Sequence, residues 1–301
     1  MAPTPTEETF DASPSSGDAK SGSADAGAPL KIFFRSWRPA GPARAVVVIN
    51  HGVNSHSGQY LWAGEQLANA GFAVYAIDMR GRGKSGGERF YVAHISEYVG
   101  DLHALIRLAK SRQPGLPLYL LGHSAGGVVS CVYTLEHQAE LAGLICESFA
   151  FQVPAPDFAL QIIKGLSRIA PRAPALRLKM EDFSRDPSAV AALNADPLTK
   201  GEVQPAITVA ALVRADERLK KEFPLITLPV LILHGTADKA TVPGGSVFFH
   251  HTAGSKDKTL KLYEGHYHDL LNDLGKEGVM ADITAWIGAR VRVAAGAEAT
   301  V

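Results

Sequence analysis

From residue 45 onward the chain sets short apolar runs between stretches whose apolar residues recur at helical spacing. The runs are AVVVINHG (45–52), FAVYAIDMRG (72–81), LPLYLLGHS (116–124), LAGLICES (141–148), LPVLILHG (228–235) and TLKLYEG (259–265). Strands buried on both faces have this pattern, because helices cover both sides of a parallel sheet. Between them, YLWAGEQLANAG and EYVGDLHALIRLAKSRQPG carry helical periodicity, and each stops at Gly. Gly71 is followed at once by FAVYAID, a helix handing directly to a strand. The alternation predicts an α/β fold with right-handed crossovers and a mostly parallel, doubly wound sheet. Ahead of it, KIFFRSW reads as an edge strand closed by Pro39 and the Gly41-Pro42 turn.

Two regions break the pattern. Residues 1–28 are rich in Ala, Ser, Pro, Thr and Gly and almost free of large apolar side chains, so a disordered tail is expected there. From 152 to 223 the chain turns mostly helical, interrupted by PAP, APRAPA and DPSA, with no strand-like run. This segment is expected to form a helical cap over a core made of residues 29–151 and 224–293, with a C-terminal tail at 294–301.

Composition narrows the function classes. Thirty basic and thirty acidic residues cancel in a chain of 301, so no whole-molecule field attracts nucleic acid. Cys131 and Cys146 are the two cysteines, too few for a disulfide framework, and are expected as reduced core thiols. The opening segment lacks the charged-then-apolar pattern of a signal peptide, and no apolar run approaches the roughly 20 residues of a membrane span. The expected location is cytoplasmic.

The strongest chemical signal is Gly122-His123-Ser124-Ala125-Gly126, a G-x-S-x-G motif between the strand LPLYLLG and the helical VVSCVYTLEHQAEL. A nucleophile elbow needs this context: a strained strand-to-helix turn lifts the Ser124 hydroxyl, and small neighbours prevent clashes. A serine nucleophile needs a base and an orienting carboxylate. Asp238 leaves the carboxyl end of LPVLILHG, and two histidines, His266 and His268, follow TLKLYEG at the equivalent end of the next strand. Ser, acid, His is the chain order this chemistry takes after such an elbow. The amides of Val53, in the loop Asn50-His51-Gly52-Val53-Asn54, and of Ala125 are the candidate oxyanion donors. AIDMRGRGKSGGE (76–88) is neither G-x-G-x-x-G opening a helix nor a G-K-[ST] loop, so it reads as a plain turn. His103, His137, His250 and His251 have no sequence context for a role, and no metal or organic cofactor is expected.

With these motifs in place the chain resembles the monoacylglycerol lipase and lysophospholipase branch of the α/β-hydrolases. KIFFRSWRP, INHGVNSHSGQY, DMRGRGKSGGERF, PGLPLYLLGHSAGG, LPVLILHGTAD and DKTLKLYEGHYHDLLND stand in family order from about Leu30 to Arg290. The resemblance implies the α/β-hydrolase fold, a cap over an acyl-chain tunnel, and the base at the second histidine of GHYH, His268. It implies a serine carboxylic-ester hydrolase for monoacylglycerol or lysophospholipid-like lipids, touching a membrane surface transiently through the cap. Esterase action on small or aromatic esters, acyl transfer or perhydrolysis by the same triad, and a non-enzymatic ligand-binding role are the alternatives. Departures are Ala125, where the family usually has Met, and Ser55, Gln59 and Leu271, where known members hold glycerol hydroxyls with an acidic residue, an arginine and a histidine.

Overall fold

The structure, a computed structural model, describes residues 3–12 and 29–298, with side chains through Val291. Strand β1 (Thr6–Ala12) pairs antiparallel with β2 (Leu30–Trp37). There follow β3 (Ala45–Asn50), α1 (Leu61–Asn69), β4 (Phe72–Ile77), α2 (Ile95–Arg112), β5 (Leu118–His123), α3 (Ala125–His137) and β6 (Gly143–Glu147). The insertion comprises α4 (Asp157–Ile169), β7 (Pro174–Leu176), α5 (Pro187–Ala195), β8 (Gln204–Pro205) and α6 (Ala206–Glu222). The sheet then resumes with β9 (Val230–Gly235), α7 (Pro243–Thr252) and β10 (Lys258–Tyr263), and α8 (Lys276–Glu298) closes the described chain.

The eight-stranded sheet runs β1-β2-β4-β3-β5-β6-β9-β10. β1–β2 and β2–β4 pair antiparallel and all other pairs are parallel. Alternate side chains of one strand feed two separate cores, as the pleat requires. Val46 and Val48 of β3 pack with Val99, Leu102 and Val128 from α2 and α3. Ala45, Val47 and Ile49 pack with Leu67 of α1 and Ile283 of α8. Strand order reverses between β3 and β5, which makes the carboxyl ends of these two strands the switch point of the sheet.

Three boundaries differ from expectation. Residues 6–12 are not part of a disordered tail: they form the edge strand, which moves β2 one place inward. Their apolar content is low, but Phe10 packs on Phe34, Glu7 pairs with Arg35 at 2.7 Å and Glu8 pairs with Arg112 at 2.7 Å, all on a full backbone ladder. Residues 13–28 lie outside the described residues. At the other end, α8 continues to Glu298 through most of the expected C-terminal tail, and 299–301 lie outside the described residues. The insertion also contains the short β7–β8 pair, and its last helix, α6, puts Ala211, Ala215 and Leu219 into the main core.

Candidate active site

Ser124 sits between β5 and α3 with φ 53° and ψ −125°, a conformation few non-glycine residues adopt. The small residues around it are forced by contact. A Cβ on Gly126 would lie 2.2 Å from the carbonyl oxygens of Asn50 and His51, and one on Gly127 2.3 Å from Phe149. The turn is tied down by the Ser124 amide donating to Glu147 O at 3.0 Å and by the Ala150 amide donating to Ser124 O at 3.0 Å.

The three distant residues converge. His268 Nε2 lies 2.9 Å from Ser124 Oγ, and its Nδ1 lies 2.8 Å from Asp238 Oδ2. His268 is fully buried, and Ser124 is 3% exposed. Asp238 Oδ1 accepts from the amides of Ala240 at 2.8 Å and Thr241 at 2.9 Å, and Oδ2 accepts from the Thr241 hydroxyl at 2.7 Å. Burial opposes the charge of this carboxyl, but His268 and His234 outweigh it and hold Asp238 far below the usual carboxylate range. His266, the competing histidine, lies instead 3.7 Å from Asp273.

Gly52 is wedged against Ser124: a Cβ there would stand 2.7 Å from Ser124 Cβ. This brings the start of the loop that carries Val53 beside Ser124, the residue just before α3. A helix N-terminus directs N–H groups and a partial positive charge toward that point.

Several functional neighbours have no sequence signature. His234, at the end of β9, places Nε2 3.0 Å from Asp238 Oδ2, while its Nδ1 lies 2.7 Å from Ser246 Oγ. Phe183 of the insertion packs its ring nearly perpendicular to that of His268, with the ring centroids 4.8 Å apart. Behind the triad, His123, Glu147 and Asp269 bring one ligand-type atom each within 4.8 Å of one another. His123 Nε2, Glu147 Oε2 and Asp269 Oδ1 are buried without a partner among the described residues. Burial and the adjacent His268 push the His123 imidazole well down from its ordinary value, whereas burial and Asp269 push the Glu147 carboxyl well up. On the surface His103, His137 and Glu140 form a second cluster. Neither cluster includes a member of the Ser124–His268–Asp238 chain.

Of the residues at which the sequence departs from the family pattern, Ser55 and Leu271 are buried, and Gln59 donates to Asp196 of the insertion at 3.1 Å, beside His56 at 2.7 Å from the same oxygen.

A buried acid–imidazole–hydroxyl chain at the switch point of a mostly parallel sheet defines a serine hydrolase of the α/β-hydrolase fold. A family profile described as Serine aminopeptidase, S33 (Hydrolase_4) matches residues 41–275, and the chain belongs to that family. The monoacylglycerol lipase of Mycolicibacterium smegmatis is 34% identical over 262 residues, 86% of this chain and 93% of that protein. The monoglyceride lipase of Rattus norvegicus is 32% identical over 268 residues, 87% and 88% of the two chains. The crystal structure of Paleococcus ferrophilus monoacylglycerol lipase superposes with a TM-score of 0.77 at 31% identity, covering 86% of this chain and 99% of the other.

Proposed function

We propose that the protein hydrolyses carboxylic esters of lipid-like acids, monoacylglycerols or lysophospholipid-type esters, through an acyl-enzyme on Ser124. The unbroken chain from Ser124 Oγ to His268 to Asp238, at 2.9 and 2.8 Å, carries the reading. His268 Nε2 takes the hydroxyl proton as Ser124 Oγ attacks the ester carbonyl, and Asp238 steadies the imidazolium at Nδ1. The amides of Val53 and Ala125 hold the oxyanion. The alcohol leaves with the proton from His268, and a water molecule deprotonated by His268 then releases the acid and restores Ser124.

The lipid substrate class rests on the similar lipases and on the cap. Helix α4 leaves Phe158, Ile162 and Ile169 at 68, 63 and 87% exposure, with Leu166 between them, an apolar stripe at helical spacing that faces solvent. Such a stripe suits transient contact with a lipid surface. Among the described residues no helix is long and apolar enough to cross a membrane. A cytoplasmic setting fits the free thiols Cys131 and Cys146.

The test is a panel of p-nitrophenyl esters from short to long acyl chains, with monoacylglycerols and lysophospholipids, on wild type and Ser124→Ala. Long-chain ester hydrolysis that falls by about 10⁴ to 10⁶ in the variant is expected. Undiminished turnover by Ser124→Ala, or no stoichiometric labelling of Ser124 by an organophosphonate, would overturn the reading.

A further inference from the structure

We infer that Glu202, a residue of the cap, is a positioning residue for the oxyanion loop, so that the loop takes its working shape only with the cap docked on it. The inference rests on the proposed hydrolase mechanism and on a buried network that the triad does not use.

Glu202 follows Gly201, whose φ of +78° turns the chain inward between α5 and β8. Its side chain is 2% exposed and reaches the core loops. Oε1 accepts from the Asn54 amide at 2.9 Å, and the same oxygen takes N–H groups from the Arg82 guanidinium and the Gln204 side-chain amide. Arg82 is fully buried; it donates to Gln204 Oε1 at 2.6 Å and to Tyr98 OH at 3.2 Å. One carboxylate oxygen therefore joins three segments: the loop after β3, the loop after β4, and the cap.

Asn54 is the residue after Val53, and its φ is +54°. Asparagine takes that left-handed conformation more readily than other non-glycine residues, and the Glu202 acceptor at its amide fixes which way this end of the loop faces. Upstream, Gly52 is pressed against the Ser124 Cβ. The short loop is thus fixed at one end by the nucleophile and at the other by Glu202, and the Val53 peptide lies between the two anchors. If the acceptor is removed, the Asn54 amide loses the partner that holds this end of the loop, and the Val53 N–H is free to turn with it. An oxyanion donor is effective only when aimed at the developing charge beforehand.

Removing Glu202 alone would strand the buried Arg82 charge, so the informative variant replaces both with apolar residues of similar volume, Arg82→Met with Glu202→Leu. The kcat and KM for a p-nitrophenyl ester, the inhibition constant of an alkyl boronic acid that forms a tetrahedral adduct, and the melting temperature are to be measured. The double variant is expected to fold, to lose about 10- to 100-fold in kcat with KM within about threefold, and to lose boronate affinity by a matching factor. A kcat within about threefold of wild type overturns the inference, as does a kcat loss that leaves boronate binding intact. Should that double variant not fold, Arg82→Gln with Glu202→Leu carries the test, since it removes both charges and the acceptor but keeps a polar group at residue 82: a joint loss in both quantities supports the inference, and wild-type values of both overturn it. Organophosphonate labelling of Ser124 separates this from the mechanism beneath it. A labelled wild type with an indifferent Glu202 variant defeats only the loop assignment, whereas an unlabelled wild type defeats the hydrolase reading.

Discussion

His234 and His268 hold the same oxygen of Asp238, from 3.0 and 2.8 Å. Asp238 is therefore held from two sides, by His268 and by a second imidazole whose far nitrogen is 2.7 Å from Ser246 Oγ. Hydrogen bonds to a charged group contribute about 1.5–3 kcal/mol each. His234→Phe, which fills the volume without donating, is expected to lower kcat about tenfold and to reduce the melting temperature. A kcat equal to wild type would mean that Thr241 and the two loop amides suffice to place Asp238.

Glu147 makes the opposite demand on pH. Burial and then Asp269 raise its pKa well above the ordinary value, with Asp238 adding in the same sense. The folded protein keeps a proton that the unfolded chain gives up near pH 4.5, so native stability falls as pH rises above that point. Glu147→Gln needs no such proton. Its melting temperature relative to wild type is expected to climb steadily from pH 5 to pH 8. A difference independent of pH would count against a protonated Glu147.

Gly126 is a contact requirement. Its hydrogen faces two carbonyl oxygens of the β3 terminus, 2.2 Å from where an alanine Cβ would stand, and β3 is a central strand. Gly126→Ala is expected to cost about 3 kcal/mol or more, read as lost melting temperature together with lost phosphonate labelling. A wild-type melt would refute it.

The α4 stripe separates lipid contact from chemistry. Phe158→Ser with Ile162→Ser and Ile169→Ser removes the most exposed apolar groups of the cap. The triple variant is expected to bind phospholipid vesicles several-fold more weakly while hydrolysing p-nitrophenyl acetate at the wild-type rate. Equal vesicle binding by both proteins would dismiss the stripe as a lipid-contact surface.

Much of the site was legible because its chemistry is local. Ser124 announces itself by the small residues packed around one strand-to-helix turn and Asp238 by its position just past a strand end, whereas the next strand end offers both His266 and His268 and the family resemblance points to the second. His234 gave no such signal: it occupies a strand end like any buried residue, and only the fold of the following loop brings Asp238 back onto it. Phe183 and Glu202 were invisible for a related reason. Both belong to the insertion, where helical spacing shows which face is apolar but not which core loop that face will meet.

The tail shows the same limit in reverse. Residues 6–12 carry too few apolar side chains to order themselves, yet β2 offers them a free edge, and Arg35 and Arg112 offer opposite charge.

By itself the sequence determined the parallel sheet, the strand-to-helix turn at Ser124 and the chain order of the three side chains that converge, since each depends on the spacing of neighbouring residues and on elementary sterics. Tertiary structure decided which charges share a buried oxygen, how the cap grips the loop at Asn54, and where the edge of the sheet lies. Those contacts join residues far apart in the chain, and their energies exist only once the backbone has closed the distance between them.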